Sequence, residues 1–222
     1  MAMAEIVPMR DPRALDYAVS ALKVGELVVY PTDTQYGLGA LAGNDVALRA
    51  LFAAKGRAPS KALPLLIADS KMAAWVAEET PVAHMLMAGF WPGALTIVMR
   101  RKASFHSLAL AGGDTVALRV PDYDFARDMI GAAGEPVVGT SANRSGGRGP
   151  ASAAEAAFAL GDMVALVIDG GRLTGTASTV IDITQEGGPV MVREGVVSKA
   201  EIEAVLGRGP AAVKVRVMER EA

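Results

Sequence analysis

The feature that most constrains this chain is a series of short apolar runs, each cut off by proline, glycine or charge: ELVVYPT, ALPLLIAD, ALTIVMRR, DTVALRVP, EPVVGTS, DMVALVIDGG, STVIDITQ and PVMVRE. Runs of that length, rich in β-branched residues, read as strands. Between some of them lie segments with apolar residues at helical spacing. Leu15, Val19 and Leu22 recur behind Asp11-Pro12, which reads as an N-cap followed by proline in the first turn, and the pattern stops at Gly25. Val46, Leu48, Leu51 and Phe52 follow Asn44 or Asp45 as the cap and end near Lys55-Gly56. Further helices are expected over 72–77, 82–90, 124–133, 151–160 and 198–206. The alternation is irregular, with strands adjacent in places. The fold class is therefore α/β, a twisted, mixed, open sheet flanked by helices. No repeat, low-complexity segment or linker interrupts it, so residues 1–206 read as one domain and 207–222 as a polar C-terminal tail with no clear partner.

At 222 residues the chain can bury most of the apolar surface that its unfolded form exposes. It has no cysteine, which removes disulfides, Cys-ligated zinc and thiol catalysis. The N-terminal MAMAEIVPMRDPR lacks the apolar core of a signal peptide. The most apolar stretch, MLMAGFWPGALTIVM, is broken by WPG and falls short of the roughly 20 residues of a spanning helix. A cytoplasmic protein without membrane association is expected. The net charge of −2 gives no global attraction to nucleic acid, which leaves a local basic patch as the route to any RNA contact.

Four polar clusters sit at the ends of these elements. After VVYP come Thr32, Asp33 and Thr34 and then a Tyr-Gly-Leu-Gly turn, either a hydroxyl-rich turn satisfying its own backbone or the rim of a pocket. In KGRAPSK, the cations Lys55, Arg57 and Lys61 either complement a helix C-terminus capped by Gly56 or clamp phosphate oxygens. In GGDTVALRVPD, Thr115, Ala117 and Arg119 share one face of a strand and Val116, Leu118 and Val120 the other. Arg119 on a sheet face beneath a pocket needs an anion to meet; otherwise it is an edge-strand arginine reaching solvent. In VVGTSANRSGGRGP, Ser141, Asn143 and Ser145 bring side-chain partners and Gly146, Gly147 and Gly149 leave backbone N–H groups accessible, in a loop of the kind where open α/β sheets bind ligands. The stretch is neither a nucleophile elbow nor a P-loop. His84 and His106 have no partners suggested by spacing, so neither a Ser-His-Asp system nor a histidine metal site is expected. The chain reads as a holder of charged substrates with no side-chain nucleophile.

Taken in order, YPTDTQYGLGA, KGR with LPLLIAD, FWPGALT, VALRVPD, TSANRSG, STVID and VREG resemble the YrdC-like family, with matches running from about residue 13 to about 206. The resemblance implies a deep, positively charged cavity. It also implies L-threonylcarbamoyladenylate synthesis, in which L-threonine, bicarbonate and ATP give threonylcarbamoyl-AMP and pyrophosphate. That product would feed tRNA threonylcarbamoyladenosine formation through a separate threonylcarbamoyl transferase complex. A paralogous group lacks the Lys-x-Arg and Ser-x-Asn pairs; here both are present, as Lys55/Arg57 and Ser141/Asn143. By position, the resemblance gives Lys55, Arg57, Ser141 and Asn143 to the ATP phosphates as the catalytic set. It gives Thr34, Arg119, Gly139 and Ser178 to L-threonine, and Lys61, Thr115, Gly149 and Arg193 to the rest of the nucleotide. Proline often follows the family's arginine directly, whereas here Ala58 precedes Pro59, which shifts Lys61 by a residue or two. Magnesium is expected to arrive with ATP, with no dedicated protein motif and no assigned ligand. Two other classes compete: an RNA-binding module of the same fold, and a carbamoyl-transfer enzyme that shares it.

Overall fold

The computed structural model describes residues 4–207, 209 and 214–218. The mixed α/β expectation holds, but the strands form two sheets rather than one. The first sheet has five strands in the order β1 (Glu5–Pro8), β9 (Leu166–Asp169), β2 (Val28–Tyr30), β3 (Gly37–Gly39) and β8 (Thr140–Ser141). The second has seven, in the order β12 (Arg216–Val217), β11 (Val190–Arg193), β10 (Thr179–Asp182), β5 (Leu95–Arg100), β6 (Thr115–Arg119), β4 (Leu65–Leu66) and β7 (Val137–Val138). Helices α1 (Ala14–Lys23), α2 (Asp45–Lys55), α3 (Ser70–Val76), α4 (Pro81–Phe90), α5 (Asp124–Ala133), α6 (Ala153–Leu160) and α7 (Lys199–Leu206) flank them.

The sheets divide at one residue. EPVVGTS reads as a single strand, yet Val137 and Val138 pair with β4 while Thr140 and Ser141 pair with β3. Gly139 carries the chain from one sheet to the other, and a Cβ there would lie 2.4 Å from Leu66 Cγ. Only a residue without a side chain lets the two sheets approach so closely. A bridge between Leu41 and Val137 joins them on the same side.

Local chemistry explains several elements, and several corrections. Gly37–Gly39 of the Tyr-Gly-Leu-Gly segment form a strand, not a turn, antiparallel to β2. Its glycines make room for Tyr30: a Cβ on Gly39 would fall 2.6 Å from Tyr30 Cε1, and one on Gly37 3.1 Å from Cζ. The Tyr30 ring is thereby fully buried, and its hydroxyl donates to the Val138 carbonyl at 3.0 Å, tying the two sheets together. Asn44 caps α2, its Oδ1 accepting the Ala47 N–H at 3.0 Å, and Gly56 closes the helix in the left-handed region. Asp11 does not cap α1. It accepts the Arg13 N–H at 2.8 Å in a preceding turn, and the helix starts at Ala14. The edge strand β1, parallel to β9, lies in a segment whose four residues are too few to show alternation. Past residue 206 the chain has a partner after all: Arg216 and Val217 run parallel to Val190 and Met191. The rest of that stretch, 208, 210–213 and 219–222, lies outside the described residues. Among the described residues no helix is long and apolar enough to cross a membrane.

Candidate active site

A cavity of about 480 Å³ opens between the two sheets. Its floor is one face of the seven-stranded sheet. The alternation in β6 sends Thr115, Ala117 and Arg119 into it, as their period of two requires, and leaves Val116, Leu118 and Val120 buried on the other side. Thr96 and Val98 of β5 and Val180 of β10 continue that face. The opposite wall comes from the five-stranded sheet and its loops, with Thr32, Thr34, Tyr36 and Ser141, while Arg57 and Pro64 close the side.

Arg119 is only 5% exposed, on a strand flanked by β5 and β4, so it is not an edge arginine reaching solvent. The anion it needs is in the protein. Nη1 donates to both oxygens of Asp33, at 3.0 and 3.2 Å, and Nη2 to Thr34 Oγ1 at 3.2 Å. Burial depresses its affinity for the proton, and Asp33 opposes that shift. Thr34 is held in turn by Thr32, whose Oγ1 lies 3.0 Å away and donates its own proton to the Gln35 carbonyl at 2.6 Å. Thr32 Oγ1 also accepts the backbone N–H groups of Thr34 and Gln35, each at 3.2 Å, which fixes this turn at the cavity wall.

Two further guanidinium groups face the same space. Arg57 donates to the carbonyls of Lys61 and Ala62, from Nε at 3.2 Å and Nη2 at 2.8 Å. Arg193 donates to the Ser178 carbonyl at 3.1 and 2.9 Å and to its hydroxyl at 3.3 Å. Burial lowers the pKa of both, and Arg119 adds its repulsion at Arg193. Ser178 Oγ also lies 3.0 Å from Thr96 Oγ1.

Thr34, Arg57, Thr115, Arg119, Gly139, Ser141, Ser178 and Arg193 all line the cavity, from six separate stretches of sequence. Lys55, Lys61, Asn143 and Gly149 do not. Lys55 is buried behind the wall, and its ammonium donates to the carbonyls of Ser141 at 2.5 Å and Asn143 at 2.8 Å. Burial, and secondarily the charge of Arg57, pushes its pKa down to about 8. Asn143 braces the glycine-rich loop: Nδ2 donates to the carbonyls of Arg144 and Gly147, both at 2.7 Å, while its buried Oδ1 has no partner among the described residues. Gly149 is accounted for by packing, since a Cβ there would fall 2.3 Å from Gln35 Oε1. Lys61 is exposed on the loop that Arg57 grips. These residues shape the wall rather than face its contents. Thr32 and Thr96 also line the cavity, and Asp33 reaches it through Arg119; sequence reasoning placed Thr32 and Asp33 only on a possible pocket rim and did not single out Thr96. The signal for Asp33 was present: a strand-face arginine demanding an anion, and an aspartate at the end of another strand.

Residues 20–195 match the model of the Sua5/YciO/YrdC proteins, whose description is telomere recombination. The chain belongs to that family. Over 192 residues it is 39% identical to the threonylcarbamoyl-AMP synthase of Pyrococcus abyssi, covering 86% of this chain and 56% of that one. The crystal structure of P. abyssi Sua5 complexed with L-threonine superposes with a TM-score of 0.87 at 35% identity, over 97% of this chain and 63% of the other. That of E. coli YciO gives 0.81 at 28% identity, over 91% of this chain and all of YciO. The chain thus spans little more than half the length of the archaeal relative, whereas its superposition on YciO covers that whole chain.

Proposed function

We propose that this chain is a threonylcarbamoyl-AMP synthase, a nucleotidyltransferase that joins L-threonine, bicarbonate and ATP and releases pyrophosphate and water. The observation that carries the reading is the convergence of Arg57, Arg119 and Arg193 on one cavity in a protein of net charge −2. Arg57 and Arg193, desolvated and without a carboxylate partner among the described residues, call for anionic groups on the ligands, and Arg119 adds donors beside them. The relative bound to L-threonine has its fold in common with this chain and supports the identity of one substrate.

The residues divide by the chemistry each can do. Arg119, held by Asp33 and Thr34, retains guanidinium donors for the threonine carboxylate. Thr34 offers a lone pair to the amine, and Ser178 completes that end. The amine attacks the carbonate carbon, losing a proton and expelling water, to give a carbamate. A carbamate oxygen then attacks the α-phosphorus of ATP as the bond to pyrophosphate breaks. Arg57 and Arg193 face the phosphates together with Ser141 and Thr115, and stabilise charge as it moves onto the leaving group. Lys55 and Asn143 hold the Ser141 loop in place. Magnesium would enter as part of MgATP and would offset charge on the phosphates beside Arg57 and Arg193. The work is mainly one of positioning three reactants. The product would pass to a transferase acting on tRNA, and a cytoplasmic setting fits that path.

The test is pyrophosphate release from MgATP by purified protein. Release that requires both L-threonine and bicarbonate supports the reading. Release supported instead by carbamoyl phosphate would assign the carbamoyl-transfer alternative, and salt-sensitive RNA binding without turnover the RNA-binding one.

A further inference from the structure

Of the three guanidinium groups in the cavity, one meets a carboxylate and two do not. Arg119 is paired with Asp33 at 3.0 Å. Arg57 and Arg193 have carbonyl and hydroxyl partners and, among the described residues, no ion pair. A carbonyl satisfies a donor but leaves the charge in place, whereas a carboxylate cancels it. The cavity is therefore divided electrostatically. Around Arg57 and Arg193 it carries two uncompensated positive charges, suited to a polyanion. Around Arg119 it holds a neutral pair, suited to a ligand whose own charges sum to zero.

Resting on the synthase reading above, we propose that Asp33 is a specificity-determining residue that reserves the Arg119 half of the cavity for a zwitterionic amino acid and keeps phosphate groups out of it. Asp33 leaves Arg119 usable. A guanidinium has five N–H groups; Asp33 engages Nη1 and Thr34 one hydrogen of Nη2, which leaves Nε and the second Nη2 hydrogen. An α-amino acid brings a carboxylate for the remaining donors and an ammonium that offsets the Asp33 charge. A phosphate brings only negative charge, and the Asp33 carboxylate, its side chain 16% exposed and 3.0 Å from Arg119, repels it. Such juxtaposition of like charges is what excludes a wrong ligand. Without Asp33, Arg119 becomes a third free cation, and pyrophosphate or the ATP tail can occupy the amino-acid subsite.

The experiment is calorimetric titration of L-threonine into the full chain, with and without inorganic pyrophosphate, for wild type and Asp33→Asn. In wild type, pyrophosphate is expected to change the threonine Kd by less than about twofold; in Asp33→Asn it should raise it by about tenfold or more, in proportion to its concentration. A second probe is the α-hydroxy acid in which a hydroxyl replaces the amine of threonine. Wild type should bind it at least about tenfold more weakly than threonine, and Asp33→Asn should narrow that gap to about threefold. Equal competition by pyrophosphate in both proteins, or wild-type affinity for the hydroxy acid matching that for threonine, overturns the proposal. If circular dichroism shows that Asp33→Asn is unfolded, the wild-type comparison of the two ligands decides alone. Threonine binding that is unaltered by Asp33→Asn removes this inference and leaves the synthase reading standing; no threonine binding by wild type removes both.

Discussion

Gly139→Ala places a methyl group at the point where the chain passes between the sheets. Its Cβ would lie 2.4, 2.8 and 3.1 Å from Leu66 Cγ, Cδ2 and Cδ1, against about 3.5–4.0 Å for an ordinary carbon contact. Neither backbone gives way easily. Leu66 is paired with Arg119 on one side and Val137 on the other, and the Gly139 N–H donates to the Pro64 carbonyl at 2.9 Å. The relief open to Leu66, which borders the cavity, is to swing into it. The substitution should therefore cost about 1–3 kcal/mol as overpacking, and lower Tm by about 2–4 °C per kcal/mol for a chain of this size. Ligand affinity should fall with it. Leu66→Ala alone should cost about 2–5 kcal/mol, toward the lower end because the site already adjoins open space. Combining the two removes the clash, so the double variant should exceed the additive expectation by about 1–2 kcal/mol. Urea unfolding of the four proteins measures this directly. Losses that add to within about 0.5 kcal/mol would refute the assignment of Gly139 to a steric crossing.

Other perturbations separate the brace from the charge. The folded-state pKa of Lys55, about 8, lies below its ordinary 10.5, so unfolding takes up a proton between those values and the folded state gains stability as pH rises through that window. The stability advantage of wild type over Lys55→Met, from urea unfolding, should grow by about 2 kcal/mol between about pH 7.5 and 9.5; a constant difference would contradict the buried placement. Arg57→Ala should reduce turnover by about a hundredfold or more with an unchanged unfolding midpoint, since its carbonyl partners lie on an exposed loop. Normal turnover would remove Arg57 from the phosphate side. Tyr30→Phe leaves the Val138 carbonyl without its donor and should cost about 1–3 kcal/mol in chemical denaturation.

What the sequence made legible was local. The period of two in β6 put Thr115, Ala117 and Arg119 on one face, and all three line the cavity. The caps of α2 were visible because Asn44 and Gly56 act on their own helix. What stayed hidden depends on partners distant along the chain. The division of EPVVGTS between two sheets follows from the bulk of Leu66, the glycines of β3 from the ring of Tyr30, and the partner of β12 from an exposed edge of β11. The site shows the same split. Residue types at element ends pointed to the right segments, but the lysine that ends α2 and an asparagine in the glycine-rich loop turn inward to hold carbonyls, and only the folded arrangement distinguishes a brace from a contact.

The central claim is that threonine, bicarbonate and ATP are joined in the cavity between the sheets. Its most direct test is mass spectrometry of the products formed by the purified chain from L-threonine, isotopically labelled bicarbonate and MgATP, with L-serine in parallel. The account predicts threonylcarbamoyl-AMP with the label in its carbamoyl carbon, lost in both Arg57→Ala and Arg119→Ala. Folded, ATP-binding protein that yields no such product, or yields it undiminished in both variants, would contradict it.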